Sequence, residues 1–240
     1  MTGRRGKNSG RTFPRWPEPV MSLASAMLTA MSALQLPSSD RFAGITTTAE
    51  LSAAGLSPAM IRTLVRHGEL TPVCREAYAH AELAARAKAA RPRGERMLSA
   101  AAAIAVASKH VFASHYDAAI VHGLALLAPP PADIITLSRP HWSPGSRTGR
   151  PGTVMHRVAL PASHVRIRDG IPVTSVARTV VDLARTLSFS SGVVVADSAL
   201  HGFQTGKGEL ESVVRDCVRW PGISKARQVV DFSDALAESA

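Results

Sequence analysis

Cysteine, aromatic and acidic residues are all scarce in this sequence. Its 240 residues include 2 cysteines, 5% aromatic residues and 18 Asp and Glu residues. Cys74 and Cys217 lie far apart and fit neither a C-x-x-C motif nor the spacing of zinc ligands, which excludes a disulfide framework and gives no reason to expect a metal site. Because unpaired cysteines suit a reducing compartment, we expect a cytoplasmic protein.

Long hydrophobic runs are also missing. The segment MLSAAAAIAVA is too short to span a bilayer, so we expect no membrane anchor. A basic N-terminus followed by VMSLASAMLTAMSALQL has the order of a secretory signal. However, prolines interrupt the segment just before the apolar run, and the apolar residues recur at helical spacing. We interpret Val20 to Leu34 as an amphipathic helix, with translation starting at Met1 or at Met21.

Basic residues, by contrast, are abundant. The 28 Lys and Arg residues give a formal net charge of +10. This excess attracts polyanions over long range and favours their binding through counterion release. With 45% hydrophobic residues the chain can bury a sizeable core, most simply in two domains.

Breaker residues such as Pro92 and Gly94 divide the chain. Four segments follow from these breaks: a disordered basic tail (1–19), a first domain (20–82), a linker (83–94) and a second domain (95–240). The second domain has strand patterns in its middle, including a hairpin that turns at Asp169 and Gly170, and helix patterns around them. We therefore predict the α+β class, with a small, mainly antiparallel sheet and surrounding helices.

The stretch TTTAELSAAGLSPAMIRTLVRHGEL carries the start signals of two short helices. Thr47 and Glu50 match a capping box, and Ser57 followed by Pro58 marks the start of the second helix. The apolar residues of the second helix share one side: Ile61, Leu64 and Val65. The residues left facing outward are Ala59, Arg62, Thr63 and Arg66.

Small, hydroxyl and arginine side chains on an exposed helix suit the phosphates and guanine edges of a DNA major groove. The segment after this helix can form a two-stranded wing, so the pattern predicts a winged helix-turn-helix. The expected groove contacts are Arg62, Thr63 and Arg66 with Ala59 beside them, and the expected phosphate contacts are Thr47, Ser57 and Arg75. The residues alone leave packing without DNA equally open, because such helix pairs also occur in domains that never bind DNA.

Four segments of the chain carry a family resemblance. They are GITTTAELSAAGLSPAMIRTLVRHGELTPVCREAYA, ASHYDAAIVHGL, DGIPVTSVARTVVDLA and RWPGISKARQVVDFSDALAES. The first resembles the N-terminal winged-helix segment of the AbiEi family, the antitoxins of type IV toxin–antitoxin systems, in its actinobacterial form. The others resemble its Ser-His helix, its most recognisable signature and its last helix pair. The resemblance runs from about Phe42 to the C-terminus.

The resemblance implies a repressor that binds double-stranded operator DNA upstream of its own operon. It also implies a nucleotidyltransferase-like toxin that the protein counteracts, which in the type IV mode need not involve a stable complex. A homodimer on an inverted repeat would fit, because half-sites are commonly one helical turn apart. Longer relatives continue into a restriction-endonuclease-like domain, which we expect this chain to lack because it ends about where that domain would begin.

The wing departs from the family pattern at Glu76. Relatives typically have a glycine in this turn, between the arginine and the tyrosine that correspond to Arg75 and Tyr78. A glutamate makes the tight turn harder and places a negative charge near the expected phosphate path. Contact between the wing and DNA is therefore left open, although Tyr78 lies where a wing strand buries its ring.

Residues that could support catalysis lack partners in the sequence. His115 and His122 share one helix side, and Arg178 and Asp182 have salt-bridge spacing, but no carboxylate pair or third metal ligand has a matching spacing. Ser175 is better explained as a helix cap than as a nucleophile. We expect no enzyme activity, no metal and no cofactor.

The sequence thus favours a sequence-specific DNA-binding regulator of the AbiEi antitoxin type. The alternative is a protein-interaction module that sequesters a toxin or another partner directly, without sequence-specific DNA binding. The operator and the toxin are not specified by the sequence.

Overall fold

The computed structural model describes residues 42, 44–107, 110–141 and 152–236. They belong to one compact unit, Pro37–Ala240. The predicted basic tail and the amphipathic helix predicted between Val20 and Leu34 lie outside the described residues.

Within the described residues the chain forms nine α-helices and eight β-strands, numbered here in chain order. The first group is β1 (Ile45–Thr47), α1 (Thr48–Ala53), α2 (Pro58–Arg66), β2 (Leu70–Cys74), β3 (Ala77–His80), α3 (Ala81–Ala89) and α4 (Arg93–Ala105). The middle group is β4 (Phe112–Ala113), α5 (His115–His122), β5 (Ile135–Pro140), β6 (Thr153–Val158), a 3-10 helix (Ala162–His164), β7 (Val165–Arg168) and β8 (Ile171–Thr174). The last group is α6 (Val176–Thr186), α7 (Phe189–His201), α8 (Lys207–Asp216) and α9 (Ile223–Phe232).

The first sheet has three antiparallel strands in the order β1-β3-β2. Its hairpin, β2 and β3, turns at Arg75 and Glu76, and an irregularity between Pro72 and Cys74 places one extra residue in β2. Two short helices followed by a two-stranded ribbon, the predicted order of elements, are therefore present.

Both short helices begin where their caps predict. The Thr47 hydroxyl accepts a hydrogen bond from the Glu50 backbone N–H at 3.2 Å, and the Glu50 carboxylate accepts one from the Thr47 N–H at 2.7 Å. This is the predicted capping box. The Ser57 hydroxyl accepts from the Met60 N–H at 3.3 Å, and Pro58 lies in the first turn of α2. Both helix starts are confirmed.

The second sheet has five strands in the order β6-β5-β4-β8-β7. Asp169 and Gly170 form the turn between β7 and β8 with φ angles of 51° and 76°, which confirms the predicted hairpin. The α+β class with a small sheet is confirmed. The pairing is mixed rather than mainly antiparallel, since β5–β6 and β4–β8 are parallel. Parallel neighbours cannot be joined by a tight turn, so neither of these pairs is a hairpin.

Helix α4 joins the two sheets through one hydrophobic core. Its Ile104 is fully buried in a cluster that contains Ile45 of the first sheet and Leu137 and Val173 of the second. The alanines that precede Ile104 have small side chains, and this lets α4 approach both sheets closely. The first sheet is therefore packed against the rest of the unit and shares its interior.

The predicted linker, residues 83–94, is helical for most of its length. It covers most of α3 and the first residues of α4. Since α4 packs on both sheets, the predicted boundary crosses a packed region. The division into residues 20–82, 83–94 and 95–240 stays a prediction.

Arg96 of α4 fixes the loop that follows α5. Its guanidinium forms a bidentate pair with the fully buried Asp117 of α5, with N–O distances of 2.7 and 3.2 Å. It also donates to three backbone carbonyls of the loop: those of Pro131, Ala132 and Ile134. The Asp117 carboxylate in turn accepts from the backbone N–H and the hydroxyl of Thr136 at 2.6 and 2.7 Å. All five guanidinium N–H groups thus have acceptors, and α4, α5 and β5 are held together.

Helices α6 to α9 surround a second core of small and aliphatic side chains. Helix α6 is buried on all sides: every residue from Ala177 to Ala184 is buried, including Val180, Leu183 and Ala184 of this core. None of the helices in the described ranges combines the length and the apolar character needed to cross a bilayer.

Ile104→Ala tests whether the shared core makes the two sheets unfold together. Removal of this buried side chain should lower the free energy of unfolding by about 2–5 kcal/mol. Native-state hydrogen exchange should become faster in both β3 and β8, and denaturant unfolding should remain a single transition. The control is Leu127→Ala, at a side chain 60% exposed, which should leave both strands unchanged. Faster exchange in only one sheet, or two transitions, would contradict a shared core.

Candidate nucleic-acid interface

Helix α2 has one buried and one exposed side. Ile61 and Leu64 are 4% and 2% exposed, whereas Arg62 and Arg66 are exposed to solvent. These sides follow from the helical period of 3.6 residues. Val65, which the spacing places with the inward residues, is half-buried instead and lies beside the exposed side.

The exposed side of α2 and the β2–β3 hairpin enclose an open groove of about 930 Å³. The groove brings together the following predicted contact residues: Ala59, Arg62, Thr63, Arg66 and Arg75. Tyr78, Cys74 and Pro72 of the hairpin line its other side. Residues separated by the α2–β2 turn therefore share one surface, and the hairpin fold is what brings Arg75 to the arginines of α2.

Two predicted phosphate contacts lie elsewhere. Thr47 is 8% exposed, and its hydroxyl both accepts from the Glu50 N–H and donates to the Glu50 carboxylate at 2.8 Å. The capping box therefore occupies the hydroxyl that was expected to contact phosphate. Ser57 is exposed at the N-terminus of α2, where its hydroxyl caps the helix and backbone N–H groups favour an anion.

The groove carries more positive than negative charge. Arg62, Arg66 and Arg75 contribute three guanidinium groups, and Glu76 is the acidic residue among the lining side chains. The Arg66 guanidinium donates from Nη2 to the Thr63 hydroxyl at 3.0 Å. No side-chain hydrogen bond within the described residues holds Arg62. This surface suits an anion that spans several ångströms, such as a phosphate backbone.

Glu76 occupies a strained position at the tip of the hairpin. Its φ angle is 74°, in the left-handed region where glycine is favoured and a glutamate is disfavoured. Its backbone carbonyl accepts from the N–H of Thr48, the first residue of α1, at 2.9 Å. The turn that the family resemblance associates with glycine therefore does require a positive φ. Tyr78 is only half-buried because it lies at the wall of the groove.

The histidines that raised a catalytic interpretation are held by packing and hydrogen bonds. His115 and His122 are each 4% exposed on α5. Nε2 of His122 lies 2.7 Å from the Thr174 carbonyl oxygen, and Nδ1 of His115 lies 3.1 Å from the Ser114 hydroxyl. Ser175 caps α6 by accepting from the Arg178 N–H at 3.2 Å, as predicted. Among the described residues, no group of His, Cys, Asp and Glu has the geometry to hold a metal ion.

Arg178 and Asp182 form the predicted ion pair on α6. Nε of Arg178 lies 2.8 Å from Oδ2 of Asp182, and both side chains are 1% exposed. Arg185 binds the other carboxylate oxygen at 3.2 Å, and Arg178 and Arg185 lie 4.5 and 5.0 Å from the ring centroid of Trp220. Arg178 also donates to the Ala159 carbonyl at 3.1 Å. The network fixes the turn before α9 against α6.

Sequence reasoning missed His156 and His164. The His156 ring stacks on His115, with 4.0 Å between ring centroids and 24° between planes. His164 contacts Arg178 at 3.1 Å and Asp216 at 3.1 Å. Neither histidine stands in a recognisable motif, so these neighbours become visible only in the folded structure.

Burial lowers the pKa of His115 to about 4. The attraction of Asp182 opposes this shift, while His156, Arg185 and Arg178 add to it. Burial is also the main reason why the pKa values of His122, His156 and His164 lie below the ordinary histidine value. The interior around α5 therefore favours neutral imidazoles.

Acidification should destabilise the fold through His115. The unfolded chain takes up a proton near pH 6.5 and the folded chain only near pH 4, so the stability from neutral His115 is present above about pH 6.5 and lost as the pH falls toward 4. His115→Asn, which also tolerates the left-handed φ of 48°, should be less stable than the native chain at pH 7. The difference should shrink by about 3 kcal/mol between pH 7 and pH 4 in urea unfolding.

The control for this pH series is His67→Asn, at an exposed histidine that follows α2. Its unfolding curve should track that of the native chain at every pH. A constant difference between His115→Asn and the native chain would show that folding does not lower the pKa of His115.

Two family models match the chain, one on each side of α4. A model described as a transcriptional regulator, AbiEi antitoxin, matches residues 39–80. A model described as the AbiEi antitoxin C-terminal domain matches residues 111–232, about half of the chain. The first match covers the groove with α1, α2 and the hairpin, and the second covers the five-stranded sheet and helices α5 to α9.

Among solved structures, the chain matches a protein from Mycobacterium tuberculosis described as "Crystal structure of RV2827C protein". The TM-score is 0.49 and the sequence identity 16%, over 88% of this chain and 76% of that chain. A search of curated proteins gives no match.

Proposed function

This chain belongs to the AbiEi antitoxin family, and from that premise we propose that it is a DNA-binding regulator that represses its own toxin–antitoxin operon. Family membership supports the regulator and antitoxin role. The DNA-binding part rests on one observation, the groove that gathers Arg62, Arg66 and Arg75 on an exposed surface. An arginine-lined surface beside a short helix is what phosphate and guanine recognition requires.

The elements around the groove support binding as a winged helix-turn-helix. Helix α2 would enter the major groove, α1 would cross the backbone, and the β2–β3 hairpin would act as the wing. Arg62 and Arg66 would contact base edges or phosphates, with Ala59 and Thr63 between them on the same surface. Ser57 and Arg75 would contact phosphates. Thr47 is left out of the proposed contacts because Glu50 occupies its hydroxyl.

Two partners follow from this function. The first is double-stranded operator DNA, bound by a homodimer on an inverted repeat so that two copies of α2 reach successive turns of the duplex. The second is a nucleotidyltransferase-like toxin, which the protein counteracts without a stable complex. Gel filtration and the symmetry of the footprint on the operator would test the dimer.

Direct sequestration of a protein partner is the second candidate function. The observation that favours it is a set of apolar side chains exposed after α7 and at the end of α9: Phe203, Phe232 and Leu236, at 92%, 68% and 85% exposure. A pull-down with the product of the neighbouring gene separates the two functions. A complex that survives high salt and nuclease treatment would favour sequestration.

Replacement of Arg62 and Arg66 by alanine should abolish sequence-specific DNA binding. The double variant Arg62→Ala/Arg66→Ala loses two of the three positive charges of the groove, so its gel shift on the DNA upstream of its gene should disappear. Circular dichroism should stay unchanged because both side chains are exposed. The matched control, Arg168→Ala/Arg227→Ala, removes two exposed arginines outside the groove and should bind normally. Equal loss in both double variants would indicate an effect of net charge alone.

Glu76 should weaken DNA binding and also destabilise the hairpin turn. Glu76→Gln removes the charge and keeps the strain, whereas Glu76→Gly removes both. We expect both variants to bind DNA several-fold more tightly at low salt. Only Glu76→Gly should gain stability in thermal unfolding, by about 1 kcal/mol. Unchanged affinity in both variants would mean that the wing lies away from the phosphates.

A further inference from the structure

We propose that Thr63 is a positioning residue, which holds the Arg66 guanidinium beside the middle of α2 so that Arg66 recognises a guanine. The inference rests on the proposed DNA-binding function and deepens it. It assigns different tasks to the two arginines of α2 and removes Thr63 from the direct contacts.

The hydrogen bonds of Thr63 leave it little capacity to contact a base. Its hydroxyl donates its single proton to the Ala59 carbonyl at 3.1 Å and accepts from Nη2 of Arg66 at 3.0 Å. These three residues form a chain along one side of α2, and all of them line the groove. The threonine therefore acts on DNA through Arg66.

The bond to Thr63 directs Arg66 toward the end of α2 that enters a duplex. Arg66 is the last residue of the helix, and helical side chains lean toward the N-terminus. A bond to the residue three positions earlier keeps the guanidinium about one turn back along the helix. In helix-turn-helix complexes the N-terminal residues of the second helix contact the base edges. The guanidinium of a residue in the final turn is thus brought about one turn closer to the region of base contacts.

Enough donors remain on Arg66 for a bidentate contact. The bond to Thr63 uses one N–H of Nη2, which leaves the second N–H of Nη2 and both N–H groups of Nη1. Two of these can point to O6 and N7 of one guanine. Because the side chain is already ordered, less rotamer entropy is lost when it binds.

The Arg62 guanidinium is less constrained by hydrogen bonds than that of Arg66. Arg62 is exposed, and within the described residues no hydrogen bond holds its guanidinium. A cation that no hydrogen bond directs suits phosphate oxygens, which tolerate many geometries, better than a single base edge. Arg62 therefore supplies attraction that is independent of sequence, and Arg66 supplies discrimination.

The test uses the full chain. The native chain is first allowed to select duplexes from a random-sequence DNA library, and the variants are then compared on the selected duplex. Thr63→Val keeps the shape of the side chain and loses the hydroxyl, whereas Thr63→Ser keeps the hydroxyl. Thr63→Val should bind the enriched duplex about threefold to tenfold more weakly, the cost of ordering one arginine side chain, and should bind a random duplex as the native chain does. Thr63→Ser should bind both duplexes normally. Thermal unfolding of each variant checks that the fold is intact.

A double-mutant cycle separates positioning from a structural role. In an Arg66→Ala background, Thr63→Val should cause no further loss, because nothing remains to be held. Additive losses, an equal loss on random DNA, or no effect of Thr63→Val would overturn the positioning role. If the native chain enriches no sequence at all, both this inference and the proposed function fail. If the native chain selects a site and Arg62→Ala/Arg66→Ala no longer binds that site, the proposed function stands. Additive losses in the double-mutant cycle would then count against the positioning role alone.

Discussion

The burial of α4 between two sheets is the constraint on which the rest of the structure depends. Ile104 shares one apolar interior with Ile45 from the first sheet and with Leu137 and Val173 from the second. The proposed DNA-binding elements and the antitoxin-type elements therefore pack on one helix. Arg96 at the start of the same helix binds α5 and the loop before β5. An operator-bound α2 would thus be attached to a framework with few internal degrees of freedom, and the two family-specific segments would act as one body.

The proposed interface combines hydrogen-bonded helix caps with arginines that differ in their side-chain hydrogen bonds. The capping box and the cap at Ser57 set the directions of α1 and α2, and the hairpin places Arg75 across the groove from α2. Within this frame, attraction to phosphates needs only charge, whereas recognition of a base needs a fixed direction. Under the proposed function, Arg62 and Arg66 would therefore differ in role because of their hydrogen bonds and not because of their charge.

Local features were predictable from the sequence because their causes are local. The capping box at Thr47, the cap at Ser57 and the turn at Asp169 and Gly170 each depend on residues within four positions. The order of strands in the second sheet depends on contacts across the whole chain, so the parallel β4–β8 pair could not be inferred.

The same limit applies to the candidate site. The outward side of α2 follows from helical spacing, and the family resemblance indicated DNA as the ligand. The hydrogen bonds of the Thr47 hydroxyl to Glu50 and of the Thr63 hydroxyl to Arg66 depend on side-chain geometry that the sequence does not specify. The His115–His156 stack joins residues on different elements and has no sequence signature.

The left-handed Glu76 has an evolutionary consequence. A glutamate codon becomes a glycine codon through a single nucleotide substitution, and this one replacement would remove both the acidic charge and the backbone strain at the tip of the hairpin. Under the proposed autorepression, such a mutation would lower the cellular amount of the protein while making each copy more durable. The hairpin tip is therefore a place where a lineage can adjust repressor dosage without altering the residues that recognise the operator.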